Sequence, residues 1–259
     1  MTAGCAYVAL GSSFAAGPGL WPRAAHSPLG SGRSSINYPH LIARQLGLAL
    51  DDRSFSGATI AQIAGVDPPR RGVPQVEAVG AGTRLVTLTA GGNDVGYIKR
   101  LTLTSLPRPL KVRRVRERIE ALGEPHAVEP AFERLRVNLE TLIREIRARS
   151  DAVIVATDYL TVLPYCGYVA GLPYEITHGE RELAERISST LSSIVQQSGA
   201  IFIPAAEASA AHHAWSDEPW TRAFHLGLRG GAPYHPTAAG MRAVAHLILP
   251  AVDHLGLES

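Results

Sequence analysis

The sequence predicts an α/β protein, a three-layer α/β/α sandwich around one parallel sheet of five strands. Three observations lead there. Short apolar runs alternate along the chain with longer segments of helical period, as in βαβ units. Most of the runs are apolar nearly without a break, which suits strands covered on both faces. The 259 residues, 46% apolar and 19% charged, suit one large domain with an ordinary core and argue against disorder. The whole span 1–259 is therefore read as a single domain.

The elements follow in order. Strands are expected at 7–10, 48–55, 85–89, 152–157 and 200–204. The second is the most mixed in polarity. Phe132, Leu135, Leu139, Leu142, Ile143 and Ile146 recur at three-to-four spacing and predict a helix. Ile176, Leu183, Ile187, Leu191 and Ile194 predict another. A last helix over 237–249 turns Met241, Ala245 and Ile248 inward. Two stretches break the regularity. Residues 20–37 are rich in Gly, Pro and Ser and read as a long loop. Residues 97–130 carry no clear strand and read as an insertion or lid beside the site.

Composition removes other classes. Lys+Arg is 25 and Asp+Glu is 23, a net +2, so a nucleic-acid partner is not expected. No apolar stretch is long enough for a transmembrane helix. Only Cys5 and Cys166 occur, too few for a disulfide framework or a thiolate zinc site. Both read as structural, Cys166 as a buried thiol. No signal peptide is visible, so the cytoplasm is the default location, with a secreted mature form as the alternative.

In sheets of this kind ligands bind outside the carboxyl ends of the strands. Four small-residue blocks sit at such places. They are Gly11-Ser12-Ser13, Ser56-Gly57-Ala58, Gly91-Gly92-Asn93-Asp94 and, before the last helix, Pro233-Tyr234-His235-Pro236. In order and separation they resemble the Ser, Gly, Asn and His blocks of the SGNH (GDSL-type) hydrolase family. The segment Asp217-Glu218-Pro219-Trp220 is similar to the actinobacterial esterase and phospholipase branch of that family. The resemblance spans Gly11 to Gly240. With the doubly wound pattern, it implies a flavodoxin-like sheet of order 2-1-3-4-5.

The resemblance also implies roles. Ser13 would be the nucleophile of a serine esterase or lipase, and His235 its base, since a serine hydroxyl needs one at neutral pH. The backbone amides of Ser13 and Gly57 and the side-chain amide of Asn93 would hold the developing oxyanion. No metal or cofactor is expected, and the substrate would be a small-molecule or lipid ester. Two positions depart from the family pattern. Ser12 stands where Asp is common, and Ala232 stands where the family places the acid that orients the histidine. The preferred reading gives that task to the Ala232 backbone carbonyl; the alternative is a remote acid, Asp217 or Glu218.

Other readings stand beside these. Gly57, Gly91 and Gly92 fit close backbone approach to the reacting group. Asp94 reads as a helix cap. His212, His213, His225, His246 and His254 lack motif context and read as structural or solvated. Residues 99–118 hold eight cations against Glu117 alone, so the rest of the chain is net acidic. The stretch is either a solvated helix face or a lid that attracts an anionic substrate or lipid surface. The rival function is a non-catalytic flavodoxin-like domain holding a phosphate at Gly11-Ser12-Ser13. It has no use for both Asn93 and His235. An acyltransferase on the same fold is a further alternative.

Overall fold

A computed structural model describes residues 6–169, 171–226, 231–253 and 256. Cys5 and His254 lie outside these. In chain order the elements are β1 (Tyr7–Gly11), α1 (Ser13–Ala16), α2 (Tyr38–Leu46), β2 (Leu50–Asp52), α3 (Ile60–Ala64) and β3 (Leu85–Thr89). Then come α4 (Tyr97–Ser105), α5 (Arg113–Gly123), α6 (Pro125–Arg149), β4 (Val153–Thr157), α7 (Tyr174–Gln197), β5 (Ile201–Ile203), α8 (Ala205–Ala208) and α9 (Ala238–Asp253). The strands form one parallel sheet of order β2-β1-β3-β4-β5. Helix α2 packs with α9 on one face, and α3, α6 and α7 line up on the other.

The central strands earn their places by polarity. Every residue of β1 and β3 is buried, as expected for strands covered on both faces. Their few polar groups pair with one another. Tyr7 Oη meets Thr87 Oγ1 at 2.8 Å, Tyr38 Oη meets Thr89 Oγ1 at 2.9 Å, and Thr89 Oγ1 meets Thr157 Oγ1 at 3.0 Å. The Tyr7–Thr87 pair and the Tyr38–Thr89–Thr157 relay give these buried hydroxyls partners inside the core.

The second strand is shorter than its expected 48–55. The Asp52 carboxylate accepts from the Ser54 amide at 3.0 Å and the Ser54 hydroxyl at 2.6 Å. This local side-chain turn competes with the ladder and ends the strand. Residues 97–130 are helical: α4, a 3-10 turn at Arg108–Leu110, α5 and the start of α6. Tyr97, Leu101 and Thr104 form the buried stripe of α4. Ile176 is only half-buried; α7 turns Thr177 and Glu180 inward instead. Cys166 is exposed, not buried, because the loop 165–168 lies at the surface. Among the described residues no helix is long and apolar enough to cross a membrane.

Candidate active site

The parallel order brings the carboxyl ends of β1 and β3 side by side, with Gly11 paired to Thr89. The Ser12 amide donates to Thr89 O at 2.9 Å and carries the chain over that edge. Gln75 locks the approach. Its side chain accepts from the Gly11 amide at 2.8 Å and donates to the Gly11 carbonyl at 3.0 Å. Ser13 then opens the single turn α1. Its amide is among those a helix start leaves without an intrahelical acceptor.

His235 arrives from the other end of the chain. Its Nε2 lies 2.8 Å from Ser13 Oγ. Its Nδ1 lies 2.7 Å from a backbone carbonyl, and that carbonyl belongs to Pro233, not Ala232. The reason is local. Tyr234 adopts a left-handed φ of 63°, rare for a bulky residue, and reverses the chain between Pro233 and His235. The Ala232 carbonyl instead accepts from the His235 amide at 3.3 Å. The loop is braced from outside. Arg222 and Tyr234 exchange a backbone bond of 3.0 Å, as do Arg222 and His235. The Arg222 guanidinium donates to the Pro236 carbonyl, and Tyr234 Oη bonds to Ser105 Oγ on α4.

Burial holds the His235 imidazole well below its ordinary pKa, at about 4; the Pro233 carbonyl opposes that shift and the Arg222 charge adds to it. The ring is therefore neutral near pH 7, with Nδ1 as the donor to Pro233 and Nε2 free to accept from Ser13. Asp217 and Glu218 line a separate cleft with His212, His213 and Trp215, and neither borders the His235 pocket.

Two ties hold the second and third blocks together. Asn93 Nδ2 donates to Ala58 O at 2.9 Å, and the residue lines the pocket. The Asp94 carboxylate accepts from the Ile60 amide at 3.0 Å, the first amide of α3, whose own N-cap is Thr59. Burial raises the Asp94 pKa to about 7, against the pull of that amide. Gly57 has φ of 80° in the turn between them, a conformation that favours glycine. Gly92 is small for a different reason from the one expected. A Cβ there would lie 2.9 Å from the Tyr159 ring, whose hydroxyl accepts from the Gly92 amide at 2.8 Å.

Ser13, Gly57, Asn93, Ala232 and His235 thus border one cavity of about 340 Å³. Tyr159, Lys99 and Leu103 line it too. A second cavity of about 540 Å³ shares Tyr159 with the first and is walled by Leu160, Val162, Leu163, Ile187 and Phe202. Among the described residues no group of three His, Cys, Asp or Glu is placed to hold a metal ion. The sequence reading missed Gln75, Tyr159 and Pro233. Only Tyr159 carried a usable signal, as it follows the end of β4.

A doubly wound parallel sheet with a serine, an imidazole and amide donors at its carboxyl edge defines a class of α/β/α hydrolases. A model of the GDSL-like Lipase/Acylhydrolase family matches residues 9–243. Lipase 2 of Streptomyces coelicolor is 31% identical over 262 residues, covering 97% of this chain and 86% of that protein. The solved extracellular lipase of Streptomyces rimosus is 25% identical with a TM-score of 0.76, covering 96% of this chain and 98% of its own. Phospholipase A1 of Streptomyces albidoflavus, 24% identical over the same shares, has the same fold at a TM-score of 0.76. The chain belongs to the GDSL-like lipase/acylhydrolase family, and it is a carboxylic ester hydrolase of the SGNH type.

Proposed function

We propose that the chain hydrolyses carboxylic esters through an acyl-enzyme on Ser13, with His235 as the base and the Pro233 carbonyl as its orienting group. One observation carries this reading: the 2.8 Å contact between Ser13 Oγ and His235 Nε2, with Nδ1 anchored 2.7 Å from Pro233 O. Ser13 Oγ attacks the ester carbon as its proton passes to Nε2. The Ser13 and Gly57 amides and the Asn93 side chain take the oxyanion. Collapse breaks the bond to the alcohol oxygen, which leaves with the proton from Nε2. Water then attacks the acyl-enzyme along the same path in reverse, releasing the acid. The group on Nδ1 is thus a neutral peptide carbonyl rather than a carboxylate.

Residues 1–259 act as one catalytic domain, with 97–130 as an insertion beside the pocket. The names of the relatives support lipid as well as small esters as substrates. The apolar cavity behind Tyr159 supports an acyl chain lying there. The extracellular setting of the Streptomyces rimosus lipase favours the secreted alternative over the cytoplasmic one.

Turnover of p-nitrophenyl esters graded by acyl length tests this. Ser13→Ala and His235→Ala are expected to lose nearly all activity, and Asn93→Ala about 10²–10³ in kcat. Asp217→Asn is expected to keep most of it. A loss there as large as in His235→Ala contradicts the carbonyl reading.

A further inference from the structure

Between α4 and α5 the chain projects as Pro107-Arg108-Pro109-Leu110-Lys111-Val112. Pro107, Arg108, Pro109, Leu110 and Val112 are exposed, Leu110 by 50% and Val112 by 57%. Large apolar side chains left open to this degree are ordinary when scattered. Here two of them share a short tip with two prolines, and cations flank them on both sides. Residues 107–118 hold Arg108, Lys111, Arg113, Arg114, Arg116 and Arg118 against Glu117 alone. Only Arg113 has an ion-pair partner among the described residues, Glu117 at 2.7 Å, and both are solvent-exposed. Helix α5 has no fully buried residue; Val115, Ile119 and Leu122 are half-buried on its inner side, which leaves the arginines outward.

We infer that this promontory docks the enzyme on an anionic lipid surface. The chemistry fits from both sides. Leu110 and Val112 gain by entering the boundary between headgroups and acyl chains, while the surrounding guanidinium and ammonium groups meet the phosphates. A neutral surface would offer the apolar contact without the charge, and a soluble polyanion the charge without the apolar contact. The position also matters. The promontory continues directly from α4, and Ile98, Lys99, Thr102 and Leu103 of that helix line the cavity that holds Ser13. Docking here sets the mouth of the site beside the lipid layer. The basic segment is then neither a merely solvated face nor a general attractor, but a surface anchor that complements the proposed esterase reading.

The docking does not depend on the acyl-enzyme, so the two readings fail separately. The experiment is flotation of the full chain with phosphatidylcholine vesicles, with and without phosphatidylglycerol. Wild-type protein and Ser13→Ala are both expected to float with the anionic vesicles at low salt, to bind neutral vesicles far less, and to release as salt rises. The quadruple variant Arg108→Gln, Lys111→Gln, Arg113→Gln, Arg114→Gln is expected to lose about a hundredfold or more in vesicle partitioning. It should keep wild-type turnover of a soluble short-chain ester, which also shows that it folds. Leu110→Ser with Val112→Ser should weaken binding and leave a residue that salt removes completely. Equal binding to neutral and anionic vesicles overturns the inference, as does wild-type binding by the quadruple variant. Retention by single-stranded oligonucleotides with none by vesicles overturns it too, in favour of a nucleic-acid face.

Discussion

His235 has two hydrogen-bonding nitrogens and each is committed, Nδ1 to the Pro233 carbonyl and Nε2 to Ser13 Oγ. The tautomer follows from the acceptor-only carbonyl, and the low pKa follows from burial. The base we propose must be neutral to take a proton, so on that reading activity is present above the His235 pKa and lost as pH falls through it. The acid limb of kcat/KM is therefore expected well below 6.5, toward about 4, measured on the folded enzyme with a short soluble ester. An acid limb at or above 6.5 contradicts the desolvated imidazole. At this scale the meeting of Ser13, Gly57, Asn93 and His235 at one cavity was legible, because each stands in a small-residue block at a strand end or ahead of the last helix. Pro233 was not. Which carbonyl meets Nδ1 depends on the left-handed φ of Tyr234, and nothing in a tyrosine announces that conformation. The tertiary bonds of Gln75, and of Tyr159 despite its place after β4, were hidden for another reason. Their partners are backbone amides 64 and 67 positions away.

Around the site, elements share hydrogen bonds across strand ends. Asp94 on the turn after β3 accepts from the first amide of α3, and Asn93 beside it reaches the carbonyl of Ala58. These two ties fix the Gly57 turn relative to the Asn93 amide. Asp94→Ala is expected to cost about 1 kcal/mol of stability as a lost hydrogen bond to the first amide of α3. On the proposed mechanism it should also lower kcat more than it raises KM, since the donors it aligns would act mainly on the oxyanion. Chemical denaturation with steady-state kinetics on the same variant checks both; an unchanged kcat with lowered stability leaves Asp94 a tie to α3 alone. The elements themselves were readable where polarity was simple. The ranges of β3, β4 and the long helices follow their apolar period closely. The second strand stops early because Asp52 and Ser54 bond locally. The helices within 97–130 were not delimited beyond a helix face over 99–118, because their apolar residues are few and widely spaced among cations and prolines.

Across the molecule, burial leaves several carboxyl groups poorly solvated. Glu180 on α7 is fully buried against Arg100 of α4, 3.4 Å away. Desolvation raises its pKa to about 8, although the Arg100 charge pulls the other way. Asp94 is raised to about 7, and Asp158 is raised as well by burial, against its bonds to Ser188 and Ala206. These folded-state values lie above the unfolded ones, so the native state holds protons that the unfolded chain has released. Stability should then fall as pH rises from 7.5 to 8.5, a window in which the histidines with lowered pKa contribute little, because their unfolded forms titrate near 6.5. The slope is at most about 1.4 kcal/mol per pH unit for each such proton. Tm measured across that window is expected to drop, and Glu180→Gln to flatten the drop. A Tm that rises with pH there contradicts the assignment.

The same view of the whole chain revises the charge. A net of +2 describes neither the basic promontory beside the pocket nor the acidic remainder. It took the structure to separate Arg100, which is paired inside, from the outward arginines of α5. The central claim is still the bond that forms at one oxygen. Labelling with a fluorophosphonate, followed by peptide mass mapping, tests it most directly. The expected result is a single stable adduct on Ser13, absent in Ser13→Ala and strongly slowed in folded His235→Ala. An adduct elsewhere, or none on a folded wild-type protein that also fails to turn over p-nitrophenyl esters, would contradict it.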